Sequence, residues 1–453
     1  MPLHFSEAEL AARRDATCRA LAEAGLDGLL MFRQESMFYL TGYDTFGYVF
    51  FQCLYLSAEG DLVLLTRAPD LRQAQQTSTV RDIRIWVDGP EAEPAVELRA
   101  ILEEKGCRGR RLGVEYEAYG LTGRSCKRLE AALEGFCTLE DASFLVSRQR
   151  VVKSPAEIDY ARTAGRLADE AWEAALALAG PGADEGAILA AMQGAVFAGG
   201  GDYPGNEFII GSGPQALLCR YYSGRRKLDA KDQLTLEWAG AYRHYHAAMM
   251  RTLTVGGTPA RQREMHAVAQ EALLAVEDKL RPGNTVGEAF DAHAATLDRA
   301  GYQAHRMNAC GYSLGTTFSP NWMDWPMLYH GNPVVLEPGM VFFVHIIIFD
   351  SERGLAMTHG RTSLVTEGAA EPLSQASLEL VGRCSRRPAV RAHAPPRDAD
   401  AVPAARPARH LHDDVSHPVS SLLPPRLFLL PLLALALLVA ACGPLPRPFK
   451  PDD

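Results

Sequence analysis

A single carboxylate set in an apolar strand is the residue of this sequence best placed to do chemistry. Glu237 follows Leu234-Thr235-Leu236 and precedes Trp238-Ala239-Gly240-Ala241. A carboxylate partly withdrawn from water has its pKa raised toward neutrality, where it can activate water or attack as a nucleophile. The competing expectation is a Glu that simply pairs with Arg251. Downstream, His244 and His246 run at a spacing of two toward Ala248, so strand alternation aims all three at one face. His345 lies in the apolar run Val341–Ile348, where an imidazole needs either a pocket or a hydrogen-bond partner. Tyr312, in Cys310-Gly311-Tyr312-Ser313-Leu314-Gly315, could donate to a developing oxyanion or pack as an ordinary aromatic. Trp322, Trp325 and Trp238 could face a cationic or amidine substrate, with core packing as the alternative. Cys310 has no evident base beside it, which argues against a thiolate nucleophile.

The elements that must hold these residues fall into two folded regions. Residues 1–150 alternate helix and strand. Ser6 and Glu9 form a capping-box pattern that opens a helix, and Gly25 stops it. Apolar strands are predicted at Asp27–Phe32, Val49–Leu56, Leu62–Leu65, Ile83–Val87 and Leu112–Val114, with a helix over Ala95–Glu104 among them. This pattern predicts an α/β layer domain. Ser154-Pro155-Ala156-Glu157 caps a second long helix. From there to residue 382, helices interleave with strands at Phe208–Ile210, Gln233–Trp238, Met250–Val255, Val341–Phe349 and Thr362–Val365. That region reads as an α+β domain with helices on one side of an antiparallel sheet.

Bulk properties narrow the function. The net charge of -9 and the lack of a basic stripe argue against nucleic acid. Nine cysteines, with no C-x-x-C pair, argue against a disulfide framework and fit a reducing cytoplasm. No basic region followed by an apolar run opens the chain, so no signal peptide is expected.

Four segments carry a resemblance to the creatinase/prolidase-like (M24) family, whose catalytic domain has the pita-bread fold. They are Leu40-Thr41-Gly42-Tyr43, Val152–Ile158, Leu336–Phe342 and Thr362–Gly368. The resemblance implies an α/β N-terminal domain followed by an α+β pita-bread domain. Binuclear members hold two divalent ions with Asp, Asp, His, Glu and Glu. The matching positions here are Glu237, Ala248, Tyr312, His345 and Gly360, which keep one carboxylate, so no metal and no other cofactor is expected. An improvised site from His246, His345 and His359 is the alternative. The pattern E-x-A-G-x-Y-x-x-Y-H-A-x-M-x-R-T, with Gly200–Pro204, resembles the metal-free ectoine-hydrolase type, to which creatinase is akin. Those enzymes carry a His upstream of the Glu237 position, whereas the same spacing here gives Arg220. Arginine does not exchange protons near neutral pH, but it can clamp a carboxylate.

The resemblance therefore implies a metal-independent hydrolase of a C–N bond in a small, nitrogen-rich, carboxylated compound. Glu237, His246, His345 and Tyr312 would be catalytic. Arg220, His244, Tyr43 and Trp322 would bind substrate. A cytoplasmic homodimer is implied, with the segment near Tyr43–Phe46 closing the partner's pocket. A dipeptidase with an atypical metal site and a non-catalytic binding protein are the rival expectations. Residues 383–453 depart from all this, with 383–418 rich in Arg, Pro, Ala and His. They contain one apolar run, Leu427–Cys442, shorter than the roughly 20 residues a membrane-spanning helix needs. A frameshift near Gly382 with read-through into a lipoprotein gene is the expectation for this tail, and a tail anchor is the alternative.

Overall fold

The computed structural model describes residues 3–222 and 224–384. Helix α1 (Glu7–Ala24) begins where the Ser6 hydroxyl accepts the Glu9 N–H, and it ends at Gly25 in the left-handed region, φ 66°. The capping box is not closed. The Glu9 carboxylate instead pairs with Arg13 at 2.7 Å and accepts the Ser154 hydroxyl at 2.7 Å. The first sheet contains β1 (Gly28–Met31), β2 (Cys53–Ser57), β3 (Leu62–Arg67), β4 (Asp82–Trp86), β5 (Arg111–Val114) and β6 (Thr138–Asp141), in the order β4-β3-β2-β1-β5-β6. Around it lie α2 (Gln34–Thr41), α3 (Leu71–Thr77), α4 (Pro94–Glu104), α5 (Gly123–Leu133) and α6 (Leu145–Arg150). The strand predicted from Val49 starts only at Cys53, because Gly47–Val49 turn as a short 3-10 helix.

The second layer set begins with α7 (Pro155–Leu178), closed by a full Ser154/Glu157 capping box, and α8 (Glu185–Ala198). The remaining helices are α9 (Ala260–Lys279) and α10 (Val286–Arg299). The strands are β7 (Ile209–Ser212), β8 (Asp232–Tyr242), β9 (Tyr245–Val255), β10 (Ala309–Ser313), β11 (Asp324–Tyr329), β12 (Val341–Asp350), β13 (Leu355–Leu364), β14 (Glu371–Pro372) and β15 (Gly382–Arg383). The main path of this sheet is β11-β10-β12-β13-β9-β8-β7, antiparallel throughout. Glu157 does more than cap α7. Its carboxylate accepts the Tyr245 hydroxyl at 2.7 Å and meets Arg13 at 3.3 Å, joining α1, α7 and β9.

Helices α7, α9 and α10 pack against the sheet. On this covered face Trp238 stacks on Trp172 of α7, with centroids 5.3 Å apart, and donates its indole N–H to the Ala168 carbonyl at 2.8 Å. Trp238 is therefore core. Contact is close because Ala161, Ala164, Ala168, Ala171 and Ala175 give α7 a smooth buried stripe. Gly240 takes this furthest, since a Cβ there would lie 1.9 Å from the Ala164 carbonyl oxygen. Among the described residues no helix is long and apolar enough to cross a membrane. The run Leu427–Cys442 lies outside the described residues.

Gly240→Ala is expected to destabilise the fold by about 3 kcal/mol, the upper end of overpacking costs, because backbone rather than a flexible side chain opposes the methyl. Urea unfolding of the variant beside wild type measures this. A loss under about 1 kcal/mol would mean that α7 is free to move off the strand.

Candidate active site

Strand register assembles the site. Glu237 of β8 pairs with Met250 of β9, Met250 with Gly360 of β13, and Gly360 with His345 of β12. Directly opposed residues share a face of a sheet, so these four form one row. Gly360 brings no side chain, and a Cβ there would stand 2.7 Å from the Val344 carbonyl oxygen. Ala248, two residues from Met250, points to the same side. Tyr312 of β10 reaches over this row. Its ring lies 5.6 Å from that of His345, and its hydroxyl donates to Glu237 Oε1 at 3.4 Å. The same hydroxyl accepts the Trp322 indole N–H at 2.9 Å. Indole, phenol and carboxylate thus form a chain in which the indole donates to the phenol and the phenol to Glu237.

Burial sets the electrostatics. Glu237 is pushed up to about 7 by withdrawal from water, with the Tyr312 hydrogen bond and the Arg220 charge pulling weakly the other way. His345 is pulled down to about 4 by burial, and Arg220 adds to the effect. It is a neutral imidazole at physiological pH, and its Nδ1 has no partner. Arg220 is exposed, on a loop pinned to β7 by the Ile210 N–H on the Tyr221 carbonyl, 2.9 Å. Its charge is felt by Glu237, Tyr312 and His345.

The other residues singled out in the sequence stand elsewhere or are already engaged. His246 points to the face of Ala248, but its Nε2 accepts the Gly205 N–H at 2.8 Å. The ring proton is thereby assigned to Nδ1, which faces Thr317 Oγ1 at 3.1 Å. Burial pulls this group down to about 4. His246 fixes two loops and is not a free proton carrier. His244 occupies the Arg243-His244 turn at φ 66°. It is bound to Asp44 at 3.0 Å and stacked on Phe318 at 4.2 Å, so it belongs to the joint with the N-terminal domain. Tyr43, 1% exposed, is core of that domain, with its hydroxyl 3.4 Å from Thr66 Oγ1. Trp322, 1% exposed, is spent on Tyr312 and presents no open cage. Arg251 pairs in register with Leu236, on the opposite face from Glu237, so no salt bridge joins the two.

Two features escaped the sequence reading. Thr235, Thr252 and Thr358 form a hydroxyl ladder, 3.0 Å per step, beside Glu237 on its own face. The parity of Thr235 with Glu237 was visible, but the cross-strand partners were not. The loop carrying Thr317 and Trp322 is also held by the N-terminal domain. Glu35 accepts the Phe318 N–H at 3.1 Å, and the Tyr48 hydroxyl donates to the Ser319 carbonyl at 2.7 Å.

The five positions that would clamp two divalent ions hold Glu237, Ala248, Tyr312, His345 and Gly360. Hard cations need several anionic oxygens, and one carboxylate does not fit such a pair. Among the described residues no group of three or more His, Cys, Asp or Glu is arranged to hold a metal.

Comparison with known proteins gives the lineage. Metallopeptidase family M24 matches residues 159–367, and the creatinase/prolidase N-terminal domain matches residues 13–152. An uncharacterised hydrolase/peptidase of Sinorhizobium fredii is 29% identical over 391 residues, covering 84% of this chain and 98% of its own. Ectoine hydrolase of Halomonas elongata is 27% identical over 397 residues, covering 83% and 98%. The crystal structure of dipeptidase PepE from Mycobacterium ulcerans aligns with TM-score 0.71 at 26% identity, covering 83% of this chain and 99% of that one.

Glu237 should leave a mark on stability. The folded protein holds its proton up to about 7, against an ordinary value of 4.5. Stability from this group is therefore full at low pH and is lost as pH rises through that window. Glu237→Gln removes the dependence. Relative to wild type, the variant should gain nothing near pH 4 and about 3 kcal/mol near pH 8. Parallel stability curves for the two proteins in urea across this range would refute the raised pKa.

Proposed function

The chain belongs to the creatinase/prolidase-like family of M24 hydrolases, and from that premise we propose a C–N bond hydrolase that works with side chains alone. Its substrate is a small, nitrogen-rich, carboxylated compound of the ectoine or creatine kind. The observation that carries this reading is the row Glu237–Met250–Gly360–His345, where one carboxylate is left and Tyr312 takes the place of a ligand. The similarity to ectoine hydrolase of Halomonas elongata supports the same substrate class.

Each step follows from the site's own groups. Ionised Glu237 takes a proton from water as the water oxygen bonds to the substrate carbon. Negative charge that builds on the substrate is met by the Tyr312 hydroxyl, itself polarised by the Trp322 N–H. Glu237, now a carboxylic acid with a pKa of about 7, returns the proton to the leaving nitrogen as the C–N bond breaks. Water has then supplied hydroxyl to carbon and hydrogen to nitrogen. His345 stays neutral and orients substrate by hydrogen bonding, and Arg220 pairs with the substrate carboxylate. This account replaces the assignment of proton transfer to His246 and His345, because one is saturated and the other remains unprotonated.

The working form is a homodimer in the cytoplasm. Phe46, Val49 and Phe50 are exposed at 70%, 47% and 44% beside the N-terminal sheet, which supports a partner there. The described cysteines are all free thiols, in keeping with a reducing compartment.

The test is turnover of ectoine, creatine and Gly-Pro by the full chain, with and without chelator. Product from ectoine or creatine should be insensitive to chelator, and kcat/KM should rise with pH through about 7 as Glu237 ionises. Glu237→Gln should lower kcat roughly 10³-fold. Arg220→Ala should act mainly on KM. Manganese-dependent cleavage of Gly-Pro that chelator abolishes would overturn the metal-free reading. A thermal shift with ligand but no product would make the protein a binder.

A further inference from the structure

Behind the catalytic row, on the helix-covered face, Arg251 is buried at 3% exposure. Its Nη1 donates to the Met250 carbonyl at 2.9 Å and to the Gly360 carbonyl. Nε and Nη2 have no partner, and both are shut off from solvent. Opposite it in register stands His359, 1% exposed, with neither ring nitrogen bonded. His266 of α9 meets His359 edge-on, with centroids 5.0 Å apart, and its Nε2 is likewise unpartnered.

The nearby acids are spent elsewhere. Glu277 gives both oxygens to Arg361 at 2.7 Å and one to the Ser363 hydroxyl. Asp169 accepts from Ser374 and from the Gln375 N–H. Burial, with Arg361 adding to it and the more distant Asp169 and Glu277 pulling the other way, brings Arg251 down to about 9, which leaves it charged at neutral pH. A buried charge with no carboxylate in direct contact, and two buried donor nitrogens without acceptors, are strongly unfavourable. Water would satisfy the donors but not the charge.

We propose that a small monovalent anion, chloride under ordinary conditions, is bound among Arg251, His359 and His266. It accepts from the unpartnered Nε and Nη2 of Arg251 and from a ring N–H of His359, and it places a negative charge in contact with the guanidinium. Because Arg251 Nη1 ties carbonyls of β9 and β13 together, the anion also fixes the guanidinium that backs the Glu237–His345 row. This inference does not depend on the proposed reaction.

Two measurements on the full chain test it. Crystals grown in bromide should show an anomalous peak in contact with Arg251. At constant ionic strength, exchanging gluconate for chloride should raise Tm saturably by roughly 2–5 °C, and Arg251→Met and His359→Phe should each lose that shift. Absence of the bromide peak overturns the proposal, whether or not the variants fold. A peak without a saturable shift marks an adventitious ion only and overturns it as well.

Discussion

The register of β8, β9, β13 and β12 is the constraint on which the site rests. Side chains alternate with a period of two, so a slip of one residue in any pairing would move its whole set to the other face. With Glu237 opposite Met250 and Gly360 opposite both Met250 and His345, acid and imidazole share one surface. The same register sends Arg251 and His359 to the helix side. One alignment therefore separates a raised carboxylate from the cation that sequence proximity suggests as its partner. Had the two met, Glu237 would be an ordinary ion-paired acid with a lowered pKa, unsuited to exchange protons near neutrality.

The second constraint is the segment from Gly315 to Trp322, which belongs to the sheet domain but is held from three sides. His246 receives Gly205 and faces Thr317, Glu35 and Tyr48 of the N-terminal domain bind Phe318 and Ser319, and Phe318 stacks on His244. At the end of this segment Trp322 sets the hydroxyl of Tyr312. The N-terminal domain thus bears on the position of Tyr312 without touching Glu237, through a loop whose hydrogen bonds it completes. Both histidines that looked reactive in sequence are part of this fastening.

Much of the scaffold was legible in the chain. Capping at Ser6 and Ser154, the stop at Gly25 and the long apolar strands are local signals, and the structure follows them. Glu237 and His345 stood out because a polar residue inside an apolar strand needs a reason. What could not be read was saturation. Nothing local indicates that a backbone N–H of Gly205, more than forty residues upstream by sequence, takes the lone pair of His246. Tyr43 looked like a pocket residue through the family segment around it, yet its hydroxyl finds Thr66 in a core built by strands whose pairing is non-local. Trp322 is core, the alternative to a cage, and what its sequence context does not reveal is that its indole N–H serves another side chain.

A metal pair would normally activate water and absorb charge at such a site. On the proposed reading, where the donor set is reduced to one carboxylate, both tasks fall to groups whose positions are fixed before substrate arrives. In the proposed reaction the first task falls to Glu237, which burial brings to about 7, so that it is base before attack and acid after it. In the proposed reaction the second falls to the Tyr312 hydroxyl, whose oxygen is already bonded to an indole and whose proton turns from Glu237 to the substrate once Glu237 has taken up the proton of water. Such a site is stabilised poorly by its own residues, since a carboxylate held at that pKa is unfavourable when ionised. The supporting fold offsets this with tight contacts such as Gly240 on α7 and the Arg13–Glu157–Tyr245 joint, which hold the strands in register whatever the charge on Glu237.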